Sequence, residues 1–458
     1  MGTKQDVIDE LNKHKKELKL IFDDKNKPSG QETTLIEGEH EAIPWPDDLA
    51  DEAYHGLAGE VIRELEPYTE ADNAAILMNF LVAFGNAIGR QAYMQVGADR
   101  HFGNLFCLLI GNTAKARKGT SWGPIRELFR RVDEEWQNDR VCGGLTSGEG
   151  LIWNVRDPVW GKEKNKNTGE LEDVVIDKGV KDKRLLVIES EFSSVLKVAK
   201  REGNILKEII RQAWDGHKLQ GLSKNNPAKA TAPHISIVGH ITSMELRKYQ
   251  DSTDLFNGFS NRFLWTCVRR SKLLPEGPEI PEQVYTKLTP KLADVLKWVK
   301  ELTPANRKFK RSDTASKVWE KVYELLNDDV QGGKTGGAIS RSDAMVIRLS
   351  LIYAVLDKTN TIKPEHVMAA LAVWQRCQQS VEYFFSEDSG SDPVEEKIID
   401  GLKDGPLSQS EIYRDIFQSN MSAKRIASAL QSLSAKSKVK CKEIKPEQGR
   451  KKKIWSLI

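Results

Sequence analysis

The sequence contains no long apolar segment. No run of residues approaches the roughly 18 consecutive apolar residues that a membrane-spanning helix needs. The first residues, MGTKQDVIDELNKHKKELK, also lack the apolar segment of a secretory signal peptide. We therefore expect a cytoplasmic protein without membrane spans.

Disulfide and metal-binding patterns are missing as well. The five cysteines lie far apart without a CxxC pair, and the eight histidines include no HxxxH pair. Three of the cysteines lie in or beside apolar runs, which is typical of buried, reduced thiols. The sequence thus gives no support to a disulfide framework, a zinc ribbon or a structural transition-metal site.

The length and composition indicate several folded domains. The chain has 458 residues, of which 39% are hydrophobic and 29% charged, and this length exceeds that of a typical single domain. The net charge of +3 is uninformative as a total, but the C-terminal segment is strongly basic. Changes in composition predict six segments, which are a flexible charged arm (1–50), a helical N-terminal region (51–100), an α/β core (101–284), a helical lid domain (285–385), a linker (386–393) and a C-terminal domain (394–458).

The core contains short, almost uniformly apolar runs separated by helical stretches. The runs are 105-LFCLLI-110, 185-LLVI-188, 235-ISIVG-239 and 263-FLWTCV-268. Uninterrupted apolarity is typical of strands that are covered on both faces, so we expect a largely parallel sheet with helices on both sides. The polar, Lys-rich segment 157–184 is expected to project as a hairpin or loop.

The C-terminal segment has the element order of a winged helix-turn-helix. Helices are predicted at 394–403, at 408–417 with Ser408 and Glu411 as a capping box, and at 422–436. Strands at 438–444 and 452–457 follow, joined by a basic turn.

The first apolar strand runs directly into 111-GNTAKARKGTSWGP-124 and then into an amphipathic helix. A strand, a flexible loop and a helix N-terminus form the required context for a phosphate cradle. Six residues separate Gly111 from Lys118, however, and Gly119 follows the lysine, so the spacing departs from GxxxxGK[ST]. A basic surface turn is the alternative interpretation. The residues predicted to bind a nucleotide are Gly111, Arg117, Lys118, Gly119, Thr120 and Ser121.

Acidic residues follow the second apolar strand in 185-LLVIESEF-192. Glu189 and Glu191 are candidates for holding magnesium and activating water, although a solvated strand end would look the same. Thr120 and Glu189 are the predicted magnesium ligands. Glu149, which we expect in an exposed, Gly-flanked loop, is a third acidic candidate.

Two further candidates adjoin the last two apolar strands. His240 and Thr242 end the strand in 234-HISIVGHIT-242, where a polar side chain could sense a terminal phosphate, or His240 could be structural. Arg262, just before the last strand, is suited either to neutralise transition-state charge across a subunit boundary or to stabilise the fold.

Nine sequence blocks stand out along residues 54–380. They are 56-GLAGEVI-62, 67-PYTEAD-72, 84-FGNAIGR-90, 111-GNTAKARKGTSW-122, 144-GLTSGEGLIWNVRDP-158, 189-ESEF-192, 213-AWDG-216, 239-GHIT-242 and 257-NGFSNRFLW-265. Taken together, these blocks resemble a family of helicase-like P-loop ATPases of plasmids, phages and integrated elements, which are often associated with primase-polymerase modules. The resemblance implies a RecA/AAA+-like P-loop core, ATP, Mg²⁺ and ring-forming motors that act on DNA.

The C-terminal segment offers residues for DNA contact. In 422-SAKRIASALQSLSAK-436, Ile426, Leu430 and Leu433 can face the core of the domain, and the opposite face could enter the major groove while the basic turn neutralises phosphates. Winged helices also mediate protein contacts, which is the alternative. The predicted DNA-binding residues are Lys424, Arg425, Ser428, Gln431, Arg450, Lys451, Lys452 and Lys453.

Two functions from different classes are consistent with this pattern. The first is an ATP-driven DNA helicase or translocase, with a hexamer favoured, that serves replication of a mobile element; hydrolysis would move loops such as 161–184 along one strand. The second is a DNA-binding initiator or regulator in which ATP only switches assembly. No primase-type cluster is visible in the N-terminal arm, so a primase or polymerase would be a separate partner.

Overall fold

The computed structural model of the protein describes most of the chain in two compact units, whose main parts are Trp45–Glu382 and Tyr383–Ile458. Among the described residues, no helix combines the length and apolarity needed to cross a membrane. The described residues are 43–111, 118–164, 171–221, 228–250, 252–277, 279–328, 333–386, 393–403, 405–418, 421–435, 438–444 and 452–457.

The helices and strands are labelled in chain order. The helices are α1 (Gly56–Leu65), α2 (Asn73–Ala87), α3 (Trp122–Val132), α4 (Glu134–Asp139), α5 (Gly148–Trp153), α6 (Phe192–Ala199), α7 (Leu206–Asp215), α8 (Ser243–Tyr249), α9 (Ser252–Phe256), α10 (Glu282–Lys300), α11 (Asp313–Asp328), α12 (Gly333–Ile339), α13 (Ser342–Leu356), α14 (Pro364–Ser386), α15 (Pro393–Lys403), α16 (Gln409–Glu411) and α17 (Ala423–Ala435). The strands are β1 (Tyr93–Val96), β2 (Asp99–Phe102), β3 (Phe106–Ile110), β4 (Val141–Cys142), β5 (Val159–Lys164), β6 (Leu171–Asp177), β7 (Arg184–Glu189), β8 (Leu219–Gln220), β9 (Lys229–Ala230), β10 (His234–Ile241), β11 (Leu264–Cys267), β12 (Lys308–Arg311), β13 (Thr361–Ile362), β14 (Leu407–Ser408), β15 (Val439–Ile444) and β16 (Lys452–Leu457).

A five-stranded, all-parallel sheet forms the centre of the first unit, in the order β11-β3-β10-β7-β4. Every residue of β3 and β10 is buried, which explains why these strands are apolar without alternation. The expected α/β core with a parallel sheet is therefore confirmed.

Helix α2 fastens the N-terminal region to this sheet. The Asn86 amide donates to the carbonyl of Leu185 at 2.9 Å and to that of His234 at 3.2 Å, so one side chain bridges β7 and β10. The Trp136 indole donates to the Asn86 side-chain oxygen at 3.0 Å. Because all of these groups are buried, their hydrogen bonds fix the helix against two strands at once.

A second sheet, in the order β13-β12-β1-β2, joins the N-terminal region to the segment 285–385. The helical pattern of that segment predicts its helices, but not β12 and β13. These strands have only four and two residues and carry no extended apolar run, so the pairing of β12 with β1 and of β13 with β12 could not be read from the sequence.

Two hairpins interrupt the core. Strands β5 and β6 pair antiparallel, as do β8 and β9. Asp157 precedes β5 and Thr231 follows β9. The Asp157 carboxylate accepts hydrogen bonds from the Thr231 hydroxyl at 2.6 Å and from Lys183 at 2.8 Å, and these contacts connect the ends of the two strand pairs. The expected projection of 157–184 as a hairpin agrees with the pairing of its described strands.

The second unit has three helical segments and a three-stranded sheet in the order β14-β16-β15. Ser408 and Glu411 form the predicted capping box, after which α16 continues into a π-helical turn. Ile426, Leu430 and Leu433 of α17 are buried in the core of this unit, as their spacing predicts.

Candidate functional site

Three adjacent strands bring the main candidates to one edge of the parallel sheet. The registers place Leu108 of β3, Gly239 of β10 and Glu189 of β7 side by side. Lys118 follows β3, His240 lies at the end of β10, and Glu189 ends β7. Ligands of open parallel sheets bind beyond the carboxyl ends of the strands, so these side chains share the edge at which a ligand is expected.

Lys118 reaches back to the strand that precedes it. Its ammonium donates to the carbonyl of Gly111 at 3.0 Å, and the Gly111 amide donates to the Ile241 carbonyl at 3.2 Å. Burial lowers the pKa of Lys118, while the carboxylate of Glu245 acts in the opposite direction. The lysine is thus held at the sheet edge beside strand β10.

The two hydroxyls after Lys118 have different surroundings. Ser121 is fully buried, donates to the Lys118 carbonyl at 2.6 Å and accepts from the Asn79 amide at 2.8 Å. Its hydroxyl is therefore used inside the protein, whereas Gly119 and Thr120 are exposed in a 3-10 turn. Arg117 lies outside the described residues.

Glu189 and Glu191 have different surroundings because the strand ends at Glu189 and the chain turns into α6. Glu189 is 9% exposed, and one of its oxygens accepts a hydrogen bond from the Leu145 amide at 2.5 Å. Glu191 is exposed and immediately precedes α6. Only Glu189 ends the strand at the shared edge.

Glu149 does not lie in a loop, which corrects the expectation from its glycine neighbours. It is exposed in the first turn of α5. Ser147 caps this helix by accepting from the Gly150 amide at 3.0 Å, and such a cap offsets the poor helix propensity of the glycines. A negative charge in a first turn is also favourable for the helix itself.

His240 has an unusual environment for a polar side chain. It is 3% exposed, and its Nε2 atom has no hydrogen-bond partner within the protein. Burial, together with the charge of Lys118, lowers its pKa to about 4, so the imidazole is neutral at physiological pH. A buried nitrogen without a partner at the end of a strand is a group that a ligand can satisfy.

Thr242 has a structural role instead of pointing to a ligand. Its hydroxyl caps α8 by accepting from the Glu245 amide at 3.2 Å and donates to the Glu245 carboxylate at 2.9 Å. The same carboxylate accepts from the Ser193 hydroxyl at 3.0 Å, which links α8 to α6. Hydrogen bonds from Thr242 lead the effects that lower the pKa of Glu245.

Arg262 lies at the opposite edge of the sheet, ahead of β11. Its guanidinium donates to both carboxylate oxygens of Asp215, at 2.8 and 3.1 Å, and to the Gly258 carbonyl. The extended backbone from Phe263 to Cys267 alone spans about 13 Å. Arg262 therefore cannot reach a ligand held by Lys118 in the same chain.

Among the described residues, His55, Asp357 and His366 form a group whose possible ligand atoms lie close enough together to hold a metal ion. The Nδ1 atom of His366 accepts from the Lys363 amide at 3.0 Å, so its Nε2 carries the proton and donates to Asp357 at 3.1 Å. His55 shares the same carboxylate oxygen at 2.7 Å. With both ring nitrogens of His366 engaged, the cluster is a hydrogen-bonded bridge and not a prepared metal site.

The predicted DNA-binding residues lie on α17 and β16 where the structure describes them. Arg425 and Gln431 on α17 and Lys453 on β16 are exposed. Lys424 and Ser428 also belong to α17, and Lys452 begins β16. Arg450 and Lys451 lie outside the described residues.

The chain matches no protein-family model, and no curated protein is significantly similar to it. The geometry of the chain therefore carries the functional argument.

Sequence reasoning missed three polar residues around the candidate site. Asn79 positions Ser121, Glu245 links α6 and α8 beside Lys118, and Asp215 holds Arg262. Asn79 and Asp215 contact residues 42 and 47 positions away, so no local spacing signals them. Glu245 was visible as the third residue after Thr242, which is the spacing of a capping box.

Proposed function

We propose that the protein is a P-loop-type ATPase that acts on DNA as a ring-forming helicase or translocase in the replication of a mobile element. The observation that supports the proposal is that Lys118, Glu189 and His240 follow or end three adjacent parallel strands at the carboxyl edge of the sheet. Lys118 supplies a cation, Glu189 a carboxylate, and His240 a buried ring nitrogen without a hydrogen-bond partner within the protein.

The chemistry of these residues fits a triphosphate. Lys118 already contacts a carbonyl oxygen, and its ammonium would exchange that oxygen for phosphate oxygens, which are stronger acceptors. In the tautomer that carries its proton on Nε2, neutral His240 would donate to a terminal phosphate oxygen or to the attacking water. The N-terminus of α3, which follows the loop directly, adds the favourable field of a helix dipole.

The acidic side of the site fits a magnesium ion. Thr120 would contribute a hydroxyl and Glu189 a carboxylate, which are the oxygen ligands that magnesium prefers. When bound, the ion would neutralise charge on the transferred phosphoryl group. Strand β10 separates the lysine-bearing β3 from the acidic β7.

The second unit supports an action on DNA. It combines three helical segments with an antiparallel pair of strands, β15 and β16, and this order resembles a winged helix. Arg425 and Gln431 are exposed on α17 opposite the buried Ile426 and Leu430. Such a face suits the major groove, while the exposed Lys453 on β16 suits a phosphate.

Hydrolysis of ATP with and without single-stranded DNA tests the proposal. We expect turnover that DNA stimulates, and a loss of at least about a hundredfold in both Lys118→Ala and Glu189→Gln, because each variant removes a charged contact to the transferred group. Lys197→Ala, which removes a lysine from α6, is the matched control and should retain turnover.

Unwinding of a forked duplex distinguishes the motor from the alternative function. Strand separation that requires Lys118 supports a helicase. Nucleotide binding without turnover or strand separation would instead indicate an initiator or regulator that ATP switches between assembly states. Absence of both nucleotide binding and turnover would contradict the proposed function.

A further inference from the structure

A polar cavity lies at the amino edge of the parallel sheet, where the 213-AWDG-216 block ends α7. Its volume is about 490 Å³, which is within the range of small-ligand sites. The side chains and backbone of nine residues line it: Glu208, Arg211, Gln212, Asp215, Asn257, Gly258, Asn261, Arg262 and Arg341.

The lining carries an excess of positive charge. Three guanidiniums face two carboxylates. Glu208 forms an ion pair with Arg211 at 3.2 Å. Asp215 forms ion pairs with both Arg262, at 2.8 Å, and Arg341, at 3.9 Å. One carboxylate thus partly neutralises two guanidiniums, and the cavity is suited to an additional anion.

Arg262 is incompletely satisfied by the protein. It is 6% exposed, and its Nε atom has no hydrogen-bond partner. Burial is the largest effect that lowers its pKa, and the neighbouring charges of Arg341 and Arg211 act in the same direction. A buried guanidinium with an unused donor among other cations gains from an additional acceptor.

Trp214 keeps two of the guanidiniums in place. Arg262 and Arg341 lie over its indole ring at 5.5 and 5.2 Å from the centroid. Gly258 has a positive φ of 85°, and a Cβ atom there would lie 2.7 Å from the Arg262 guanidinium. Trp214 of the AWDG block therefore restricts the positions of both guanidiniums, and Gly258 of the NGF sequence leaves room for that of Arg262.

We propose that this cavity binds a phosphate group of a nucleotide, with the Asp215 carboxylate as the internal group that the phosphate displaces from Arg262 and Arg341. A phosphate offers more acceptor oxygens and more charge than a carboxylate, and guanidinium groups bind it with paired hydrogen bonds. Asp215 keeps the two arginines oriented until the phosphate arrives.

The phosphate cannot belong to a nucleotide held by Lys118 of the same chain, because the two sites lie at opposite edges of the sheet. Two sources remain, namely a free nucleotide or one held by the Lys118 loop of a second copy. The second source rests on the proposed function, since it requires that loop to bind ATP.

Calorimetric titration of inorganic phosphate into the Lys118→Ala protein tests the cavity without the loop lysine. We expect Arg341→Ala in that background to weaken binding by about tenfold, and Asp215→Asn to tighten it by several-fold because the competing carboxylate is gone. A purely structural Asp215 would not produce tighter binding. Arg130→Ala, on α3, is the matched control, and thermal melting verifies that each variant folds.

Mixing Lys118→Ala with Arg341→Ala separates the sources, since Arg341→Ala alone loses turnover if a second copy presents the nucleotide and keeps it if the nucleotide is free. If a second copy presents the nucleotide, equimolar Lys118→Ala and Arg341→Ala proteins regain ATP turnover, since mixed pairs contain one intact loop beside one intact cavity. Phosphate binding without such recovery indicates a free nucleotide.

Phosphate affinity that is equal in the Lys118→Ala protein and in its Arg341→Ala and Asp215→Asn derivatives would overturn the inference, while Lys118-dependent turnover would leave the proposed function intact. If no protein hydrolyses ATP, the proposed function fails, and the titration still decides whether the cavity binds phosphate.

Discussion

His55, Asp357 and His366 show how single residues from distant parts of the chain determine a local structure. Burial alone would raise the pKa of Asp357, but hydrogen bonds from His366 and His55 outweigh it and hold that pKa well below its usual range. The hydrogen bond to Asp357 raises the pKa of His55 in spite of burial. The three residues lie at the start of α1, at the end of α13 and in α14, so their bridge ties these helices together.

The signs of these shifts predict how the bridge depends on pH. The raised pKa of His55 contributes stability below its unfolded value of about 6.5, and this is lost as pH rises through the folded value. The lowered pKa of Asp357 contributes stability above about 3.9, which is lost as pH falls through the folded value. Both contributions are present between roughly pH 4 and 6.5.

Asp357→Asn should therefore destabilise the protein by about 2 kcal/mol near pH 5.5 and by less near pH 8.5. Urea unfolding at the two pH values measures the difference. Asp294→Asn is the control, because its ion pair with Lys358 is largely exposed and should contribute little. An equal cost of Asp357→Asn at both pH values would show that the charge of His55 has no part in the bridge.

The residues of the candidate site differ in how visible they are in the sequence. Lys118, Glu189 and His240 each follow or end an apolar strand, so the parallel-sheet prediction already implied that they lie at one edge. The partner of Arg262 could not be predicted, because Asp215 is 47 residues away and ends a different helix. The burial that leaves His240 Nε2 without a partner also depends on the folded structure.

Close approaches of helices and strands explain why several glycines stand within the elements. A Cβ atom on Gly85, in the last turn of α2, would lie 2.0 Å from the Gly103 carbonyl oxygen. A Cβ atom on Gly239, in β10, would lie 2.6 Å from the Phe192 ring. The FGNAIGR, ESEF and GHIT blocks thus contain residues that serve the packing of α2, α6 and β10.

Gly85→Ala should cost about 3 kcal/mol or more, because the clash is with backbone and the buried helix must move. Gly123→Ala in α3 is the matched control, since no atom lies within 4 Å of a Cβ atom there. It should be neutral or stabilise by up to about 1 kcal/mol through helix propensity. Thermal unfolding of both variants checks the pair, and equal stabilities would contradict the packing argument.

The sequence predicted helices and buried strands more completely than exposed or very short ones. Strands β3, β7, β10 and β11 were visible as uniform apolar runs. The pairing of β1 with β12 was not, since a four-residue strand with a mixed burial pattern resembles a loop in sequence. The position of Glu149 in a helix was missed because its flanking glycines are poor helix formers, and the Ser147 cap overrides them.

At the scale of the whole molecule, the chain separates the proposed nucleotide chemistry from the proposed DNA contacts. Lys118, Glu189 and His240 belong to the first compact unit, and Arg425 and Lys453 belong to the second. Changes in the second unit should therefore affect DNA binding while the turnover of ATP without DNA remains unchanged.

Electrostatic binding to DNA has a measurable signature in its dependence on salt. Each phosphate that a lysine or arginine neutralises contributes about 0.9 to the slope of the logarithm of the binding constant against the logarithm of salt concentration. Arg425→Ala and Lys453→Ala should each lower the magnitude of that slope by about 0.9 and weaken binding most at low salt.

Fluorescence anisotropy of a labelled duplex at several salt concentrations provides this measurement. Lys403→Ala is the matched control, because it removes one positive charge from α15, where the lysine pairs with Asp400. A slope that falls equally in all three variants would indicate general attraction by net charge. A slope that falls only for Arg425 and Lys453 would identify the surface formed by α17 and β16 as the DNA contact, since the three variants change the total charge identically.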